Sequence, residues 1–567
     1  MPDFADLVFV NGSVLTVDPD FTVASALAVT DGVITAVGAR ADVEDRIGPD
    51  TRVVDLDGGT LLPGINDSHL HGCAWGVTSP PLALELGYPA VRSIADVAEA
   101  VRTAAESTPP GQWITGTGWD LGYLAESVED PSRLPTRHDL DAVSPDHPVL
   151  LMDFSAHATW VNSAALAVAG VDRGTAVPPG GVVVTDDEGE PTGLFQEGAQ
   201  ALVQRALPPL TPDVRALAIR STLAKLRALG ITSYTEPGLG PGGDRIMGGA
   251  LSQETLDVYR RLLADGELTA RVNVLLLPTG MSSTAADFAR ALDALDVPES
   301  DDPRRLNVIG VKIFADGIPP NRTAWMHEAY LGGGCGALCV NGETDEERVA
   351  EIAEMVRHAH AAGHQLGVHV TGDRGIDTVV DAFAAATAGH PRPDARHYVI
   401  HGDFLTPHSM KTLAEHGFGV NMNPTIKWTI ADLEEGLVGP ERAAYEWPYR
   451  DALDAGIRVA SSSDAPVTFP DWRQGITTML LRESKGSGRV SGPGQRITLA
   501  EAVRTYTIDA ARQDFAEEWK GSLEVGKVAD LCVLAGDLLT ADPHAIPELP
   551  VVLTVLGGEV VHDALDS

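Results

Sequence analysis

The chain has 567 residues, 44% of them apolar, which supplies ample material for a core and exceeds the length of one ordinary domain. With 80 acidic against 41 basic residues its formal net charge is -39, which repels phosphate backbones and anionic membrane surfaces and argues against both as partners. Four irregularly spaced cysteines (Cys73, Cys335, Cys339 and Cys532) do not make a disulfide framework, and without a basic leader or an apolar run of about 18 residues the expectation is a cytoplasmic protein acting on a small molecule, alone or as a homo-oligomer.

Residues 4 to 57 read as short strands, ADLVFVNGSVLTVD, ALAVTDGVITAVG and TRVVDLDG, whose NG and DG pairs are hairpin signals. Next comes LLPGINDSHLHG, Leu61 to Gly72, which ends an apolar strand on His, Leu, His. Side chains alternate faces along a strand, so His69 and His71 point one way and Leu70 the other. About 160 residues then intervene, far more than one connection needs, including GTGWD, SAHATWVNSAAL and a hairpin-like VPPGGVVVTDDEGEPTG.

From GITSYTEP onward short apolar strands alternate with helical patterns: ARVNVLLLP, NVIGVKIFAD, HQLGVHV, HYVIHGD, GFGVNMNP and IRVASSSDAP. One intervening segment, TDEERVAEIAEMVRHAHAAG, sets Val349, Ile352, Met355 and Val356 on one helical face. Strand then helix, repeated, is the pattern of a parallel sheet, and counting from LLPGINDSHLH there are eight strands, enough for a (β/α)8 TIM-like barrel. The last residues return to strands in GKVADLCVLAG and VVLTVLGGEVVHD. The expected organisation is a barrel over 61–520 with an insertion at about 73–228 near its mouth, and a small β-sandwich domain built from 1–60 and 521–567.

Barrel active sites lie at the C-terminal ends of the strands. Read there, the strands offer His69 and His71, Lys312, His369, His401 and Asp464. Each has a structural alternative, as a hydrogen-bonded core histidine, a snorkelling lysine or a helix cap. Four imidazoles and a carboxylate at one mouth, however, are the donor set that zinc-like cations take. A lysine in that company must lose its proton or be converted chemically, for instance to a carbamate by carbon dioxide.

PGINDSHLHG, GVKIFADG, VHVTGD, VIHGD and SSSDAP, in this order between two terminal strand regions, resemble the metal-dependent amidohydrolase superfamily. GTGWD and SAHATWVNSAAL resemble its subgroup that includes N-substituted formamide deformylases (amidohydrolase family 3). The resemblance implies a divalent metal, zinc first among candidates, one or two per chain. His69, His71 and Asp464 would hold the inner ion, His369 and His401 the outer one, and Lys312, as a carbamate, would bridge a binuclear centre. It implies cleavage of a non-peptide, amide-type carbon–nitrogen bond in a small molecule by a metal-bound hydroxide, with Asp464 carrying the proton and His157 donating to the oxyanion. Trp119, Asp120 and Asp316 are candidates for lining the substrate pocket, Trp160 and Asn162 for holding the loop of His157, and Asp373 for orienting His369.

Two alternatives stay open: a metal-dependent deaminase of a cyclic amidine, and an inactive barrel that serves in binding or assembly. His358, His360 and His364 lack the glutamate of a zinc-protease helix and read as surface histidines, and GGGCG at 332 to 336 lacks the Lys-Ser/Thr of a phosphate loop.

Overall fold

The computed structural model describes residues 4–154, 158–178, 181–244 and 246–565. They form two compact units: the first takes the chain up to Gly72, Leu223–Asp244 and everything from Leu251 on, and the second takes Cys73–Thr222 and the segment ending at Ala250.

In the first unit the eight apolar segments are the eight strands of one parallel sheet. These are β1 (Ile65–Asp67), β2 (Ile231–Leu239), β3 (Arg271–Leu276), β4 (Leu306–Phe314), β5 (Gln365–Val370), β6 (Tyr398–His401), β7 (Gly419–Met422) and β8 (Arg458–Ser461), each paired with the next in chain order. Every residue of β2, β3, β5 and β6 is buried, which is why these segments read as continuous apolar runs rather than as alternation. Beyond the strand ends the first and last strands meet. Ser68 donates its Oγ to Ser461 O at 2.7 Å, Ser463 N donates to Asp67 Oδ1 at 3.1 Å, and Asp464 N to His69 O at 2.9 Å. These bonds carry the sheet around to its start, giving a TIM-like barrel.

The helix Asp345–Ala361 illustrates the outer layer. Thr344 caps it, accepting from Glu347 N, and Ile352, Met355 and Val356 form its buried face, with Val349 half-buried at the edge. His360 lies on the same face and is fully buried, which corrects its reading as a surface histidine.

Both chain ends enter one sheet of eight strands. Thr60–Pro63 pairs antiparallel with Leu531–Leu534, and this seam joins the N-terminal strands to Val551–Leu556 and Glu559–Asp563. The DG pair at Asp31 and Gly32 makes a hairpin turn with both residues at positive φ (50° and 75°), the geometry that matches strand twist. The NG pair at Asn11 and Gly12 does not. It lies inside the single strand Leu7–Leu15, as a shift of register between Val10 and Val14. A Cβ on Gly12 would stand 2.5 Å from Gly59 O, so close approach of the neighbouring turn, not chain reversal, accounts for the glycine.

The second unit is built on a six-stranded sheet ordered Val182–Thr185, Pro191–Gln196, Ala158–Val161, Val149–Asp153, Ile114–Trp119, Leu84–Glu85. Its first two strands are the antiparallel pair expected from VPPGGVVVTDDEGEPTG. Among the described residues no helix is long and apolar enough to cross a membrane.

Candidate metal centre

His69 and His71 follow β1, and Asp464 follows β8, so the bonds that close the barrel also bring these three together. Leu70 N donates to Thr235 O and His71 N to Ala465 O, both at 2.9 Å, and these bonds pin the chain past the end of β1, where both imidazoles reach the same carboxylate oxygen. His69 Nε2 lies 3.2 Å and His71 Nε2 3.5 Å from the same oxygen, Asp464 Oδ1. Ligand atoms of these three lie within 4.8 Å of one another, the one such group of His, Cys, Asp or Glu residues found among the described residues.

Strand register brings in the rest. Phe314 is opposite His369, and Val370 opposite His401, so β4, β5 and β6 deliver Lys312, His369 and His401 side by side. The imidazoles form a chain of edge contacts: His71 to His69 at 5.3 Å between ring centroids, His69 to His401 at 5.3 Å, and His401 to His369 at 4.6 Å. Lys312 Nζ stands 5.0 Å from the centre of the Phe314 ring.

Burial sets the charge states. It pushes His69 and His369 well below the usual imidazole range and His401 to about 4, with Lys312 and neighbouring histidines adding to the effect. It pulls Lys312 down to about 7 against the opposing charge of Asp464. For Asp464 burial acts upward, yet the hydrogen bond from His69 and the surrounding imidazoles win and hold the carboxyl below its ordinary range. Neutral imidazoles, an ionised carboxylate and a lysine near neutrality are the forms that can ligate a cation.

The donor set fits a divalent ion. His69 Nδ1 is buried without a hydrogen-bond partner, and two ring nitrogens face one carboxylate oxygen. His369 places Nε2 3.2 Å from Gly317 O, and His401 places Nδ1 2.7 Å from Asn423 Oδ1. Each ring is thus fixed by one nitrogen, leaving the other available.

Other expected residues fall differently. Asp316 is fully buried, and its oxygens accept main-chain N–H bonds from Trp325, Thr371 and Gly372 at 2.8, 2.9 and 3.0 Å. These bonds tie two loops together. Asp373 accepts from His327 N at 2.7 Å, and the partner of His369 is instead the Gly317 carbonyl. Trp119 and Asp120 belong to the second unit. Trp119 is a core residue there, its indole donating to Leu151 O at 3.0 Å and its ring set edge-on to Trp160. Asp120 accepts from Gly122 N at 2.8 Å in a turn. Asn162 is locked by bonds to Val149 N, Ala165 N and His147 O. His157 lies outside the described residues.

Two residues were missed. Glu236, next to last in GITSYTEP on β2, is fully buried, accepts from Gly72 N and the Tyr259 hydroxyl at 2.9 and 2.8 Å, and lies 3.7 Å from His71 Nδ1. The rule that found Lys312, a polar residue late in an apolar strand, applies to it as well. Asn423, just past β7, likewise stands at the end of an apolar segment, GFGVNMNP.

Comparison with known proteins agrees with this architecture. The model of the amidohydrolase family matches residues 52–562. YtcJ of Bacillus subtilis is 30% identical over 95% of this chain and 96% of its own length. The N-substituted formamide deformylase of Arthrobacter pascens is 28% identical over the full length of both. A metal-dependent hydrolase from Pyrococcus horikoshii shares the fold, with a TM-score of 0.72 at 21% identity over 95% of this chain and 99% of that one. Barrel, strand-end residues and full-length likeness lead to one assignment: the chain belongs to the amidohydrolase family, enzymes that hydrolyse carbon–nitrogen bonds.

Proposed function

We propose that the chain hydrolyses an amide-type, non-peptide carbon–nitrogen bond in a small molecule, with a divalent cation, zinc for this donor set, held by His69, His71 and Asp464. The observation that carries the reading is the convergence of two imidazoles, that of His69 held neutral by burial, on one ionised carboxylate, at 3.2 and 3.5 Å. His369, His401 and Lys312 would hold a second ion. Such a cation supplies Lewis acidity and lowers the pKa of a bound water toward about 7.

The chain's own groups do the rest. Asp464 Oδ1 stands where it can take a proton from the attacking water and return it to the leaving nitrogen. Lys312, with its amine near neutrality, can add carbon dioxide at Nζ, releasing one proton to give a carbamate with two ligand oxygens. A carbamate explains why a lysine stands among histidines where an ammonium would repel a cation. The barrel supplies a dry, preformed frame, since His69, Lys312, His369 and His401 are all at least nine-tenths buried. The closing of the terminal sheet into a sandwich and a cytoplasmic setting, which the four free cysteines support, complete the reading.

The full-length likeness to a protein named for N-substituted formamides makes these the first substrates to try, followed by other acylated amines and hydantoin-like rings. The test is elemental analysis of protein purified without chelator, native mass spectrometry for carbon dioxide on Lys312, and release of amine from that panel. Bound metal with turnover is expected. Folded protein that takes up no zinc and cleaves nothing after metal and bicarbonate are supplied would overturn the reading.

A further inference from the structure

A second site lies at the other end of the barrel. Where β3 and β4 begin there is a cavity of about 420 Å³, lined among others by Arg271, Asn273, Arg304, Asn307, Phe515 and Trp519. Asn307 and Lys312 share β4 and are five residues apart, which at the rise of a strand is about 17 Å, so this cavity is separate from the metal centre.

Its wall combines an aromatic platform with cations. The guanidinium carbons of Arg271 and Arg304 each stand 5.1 Å from the centre of the Trp519 ring, and Lys520 Nζ stands 5.8 Å from it. The two buried cations are already paired. Arg271 donates Nε and Nη2 to Asp530 at 2.6 and 2.9 Å, and Lys520 donates to Asp514 at 2.9 Å and to Ser233 Oγ at 2.7 Å. Asp514, the one acid of the lining, is further occupied by Asn66 Nδ2 at 2.6 Å.

Arg304 differs. It is exposed, and among the described residues its guanidinium makes no ion pair and no hydrogen bond; its contact is the Trp519 face. In a chain with about two acids for every base, an arginine held in place by an aromatic ring and left without a carboxylate is available to a ligand anion. Beside it, Phe515 is 40% exposed, and Val308 and Ile309 add apolar surface. The volume lies within the range of small-molecule sites, roughly 300–1,000 Å³. Trp519 is half-buried, and Phe515 carries Arg396 4.5 Å from its ring centre; a free cation beside the remaining surface of these two rings selects a flat apolar body that carries a negative group.

We propose that this cavity binds a small aromatic carboxylate, its ring against Trp519 and Phe515 and its carboxylate on Arg304. The inference is independent of the chemistry assigned to the metal centre.

The test is a titration of the full-length, metal-loaded protein followed by ligand NMR, using benzoate, its uncharged match benzamide, and inorganic phosphate as an anion without an apolar body. Benzoate is expected to bind saturably, and benzamide and phosphate about tenfold more weakly, with Arg304→Gln and Trp519→Leu each weakening benzoate about tenfold. Arg304 is at the surface, so its variant keeps the fold, which an unchanged melting temperature verifies. His401→Ala is expected to leave benzoate binding as it is. The proposal is overturned by no saturable benzoate binding, by equal affinity in Arg304→Gln, by phosphate or benzamide binding as tightly, or by loss of binding in His401→Ala, which would place the anion at the metal centre.

Discussion

Two groups of buried histidines sit in the barrel unit and differ in what their nitrogens do. His360 and His397 form a closed pair. Leu366 N donates to His397 Nδ1 at 3.1 Å, so His397 carries its proton on Nε2 and donates it to His360 Nδ1 at 2.8 Å, and His360 Nε2 donates to His390 O at 2.7 Å. Every ring nitrogen has a protein partner. At the strand ends His69, His71, His369 and His401 are also buried or nearly so, and three of them are held as strongly in the neutral form, yet His69 Nδ1 has no partner and two rings crowd one carboxylate. Burial and a lowered pKa are common to both groups. What sets the strand-end group apart is an unpartnered ring nitrogen together with two other ring nitrogens converging on one carboxylate oxygen.

The largest effect should come from removing the shared acceptor. Asp464→Ala deletes both an anionic donor and the group placed to move a proton, so activity should fall by about 10²–10⁴-fold at least, with loss of bound metal by elemental analysis. Near-normal activity in a metal-loaded variant would show that the convergence is structural, like the His360 pair. Lys312→Ala should lower activity about 100-fold and, if a carbamate bridges two ions, recover part of it with a short carboxylic acid in the buffer. Full activity without the acid would remove Lys312 from the centre.

The closed pair should behave in the opposite way. His360→Ala leaves the His397 Nε2–H buried without an acceptor and opens a cavity, a cost of about 2–4 kcal/mol in urea unfolding, while turnover per folded molecule stays unchanged. The pair also has a pH signature. Burial lowers both pKa values, with Arg392 and the partner imidazoles adding to the effect, so the unfolded chain binds protons first as pH falls. The stabilisation is complete above the ordinary value of 6.5 and declines below it, so the gap between wild type and His360→Ala should narrow from pH 8 to pH 5.5. A gap that widens toward acid would mean that the pair is charged in the folded protein.

Much of this was legible in the chain because parallel strands buried on both faces leave long apolar runs, and a polar residue at the end of such a run stands out. That is how His69, His71, Lys312, His369, His401 and Asp464 were visible, and Glu236 obeys the same rule. His360 carried a signal as well. It follows Ile352 and Val356 at successive four-residue steps, on the face that the helix buries. What could not be read depends on neighbours distant in sequence. Asn11 and Gly12 have the residue types of a hairpin turn, and only the approach of Gly59 makes them a bulge. Asp316 looks like a loop acid, and the three amides that occupy it come from residues 325, 371 and 372.

The smallest expected effect tests the comparison at one atom. Asn423 Nδ2 donates to Ser462 Oγ at 2.9 Å, and Ser462 Oγ donates to Asn421 Oδ1 at 2.6 Å, so this chain of bonds turns Asn423 Oδ1 toward His401. With that oxygen 2.7 Å away, His401 must carry its proton on Nδ1, which leaves Nε2 bare for a cation. His401 itself sits at φ 74°, an unusual backbone setting that bears on where its side chain leaves the strand. Asn423→Leu should lower metal affinity about tenfold, because the ring can then take the other tautomer or rotate. Asn423→Asp keeps an acceptor at the same place and should retain most of the affinity. If Leu and Asp weaken the metal equally, the asparagine acts only through packing, and His401 is oriented by its backbone alone.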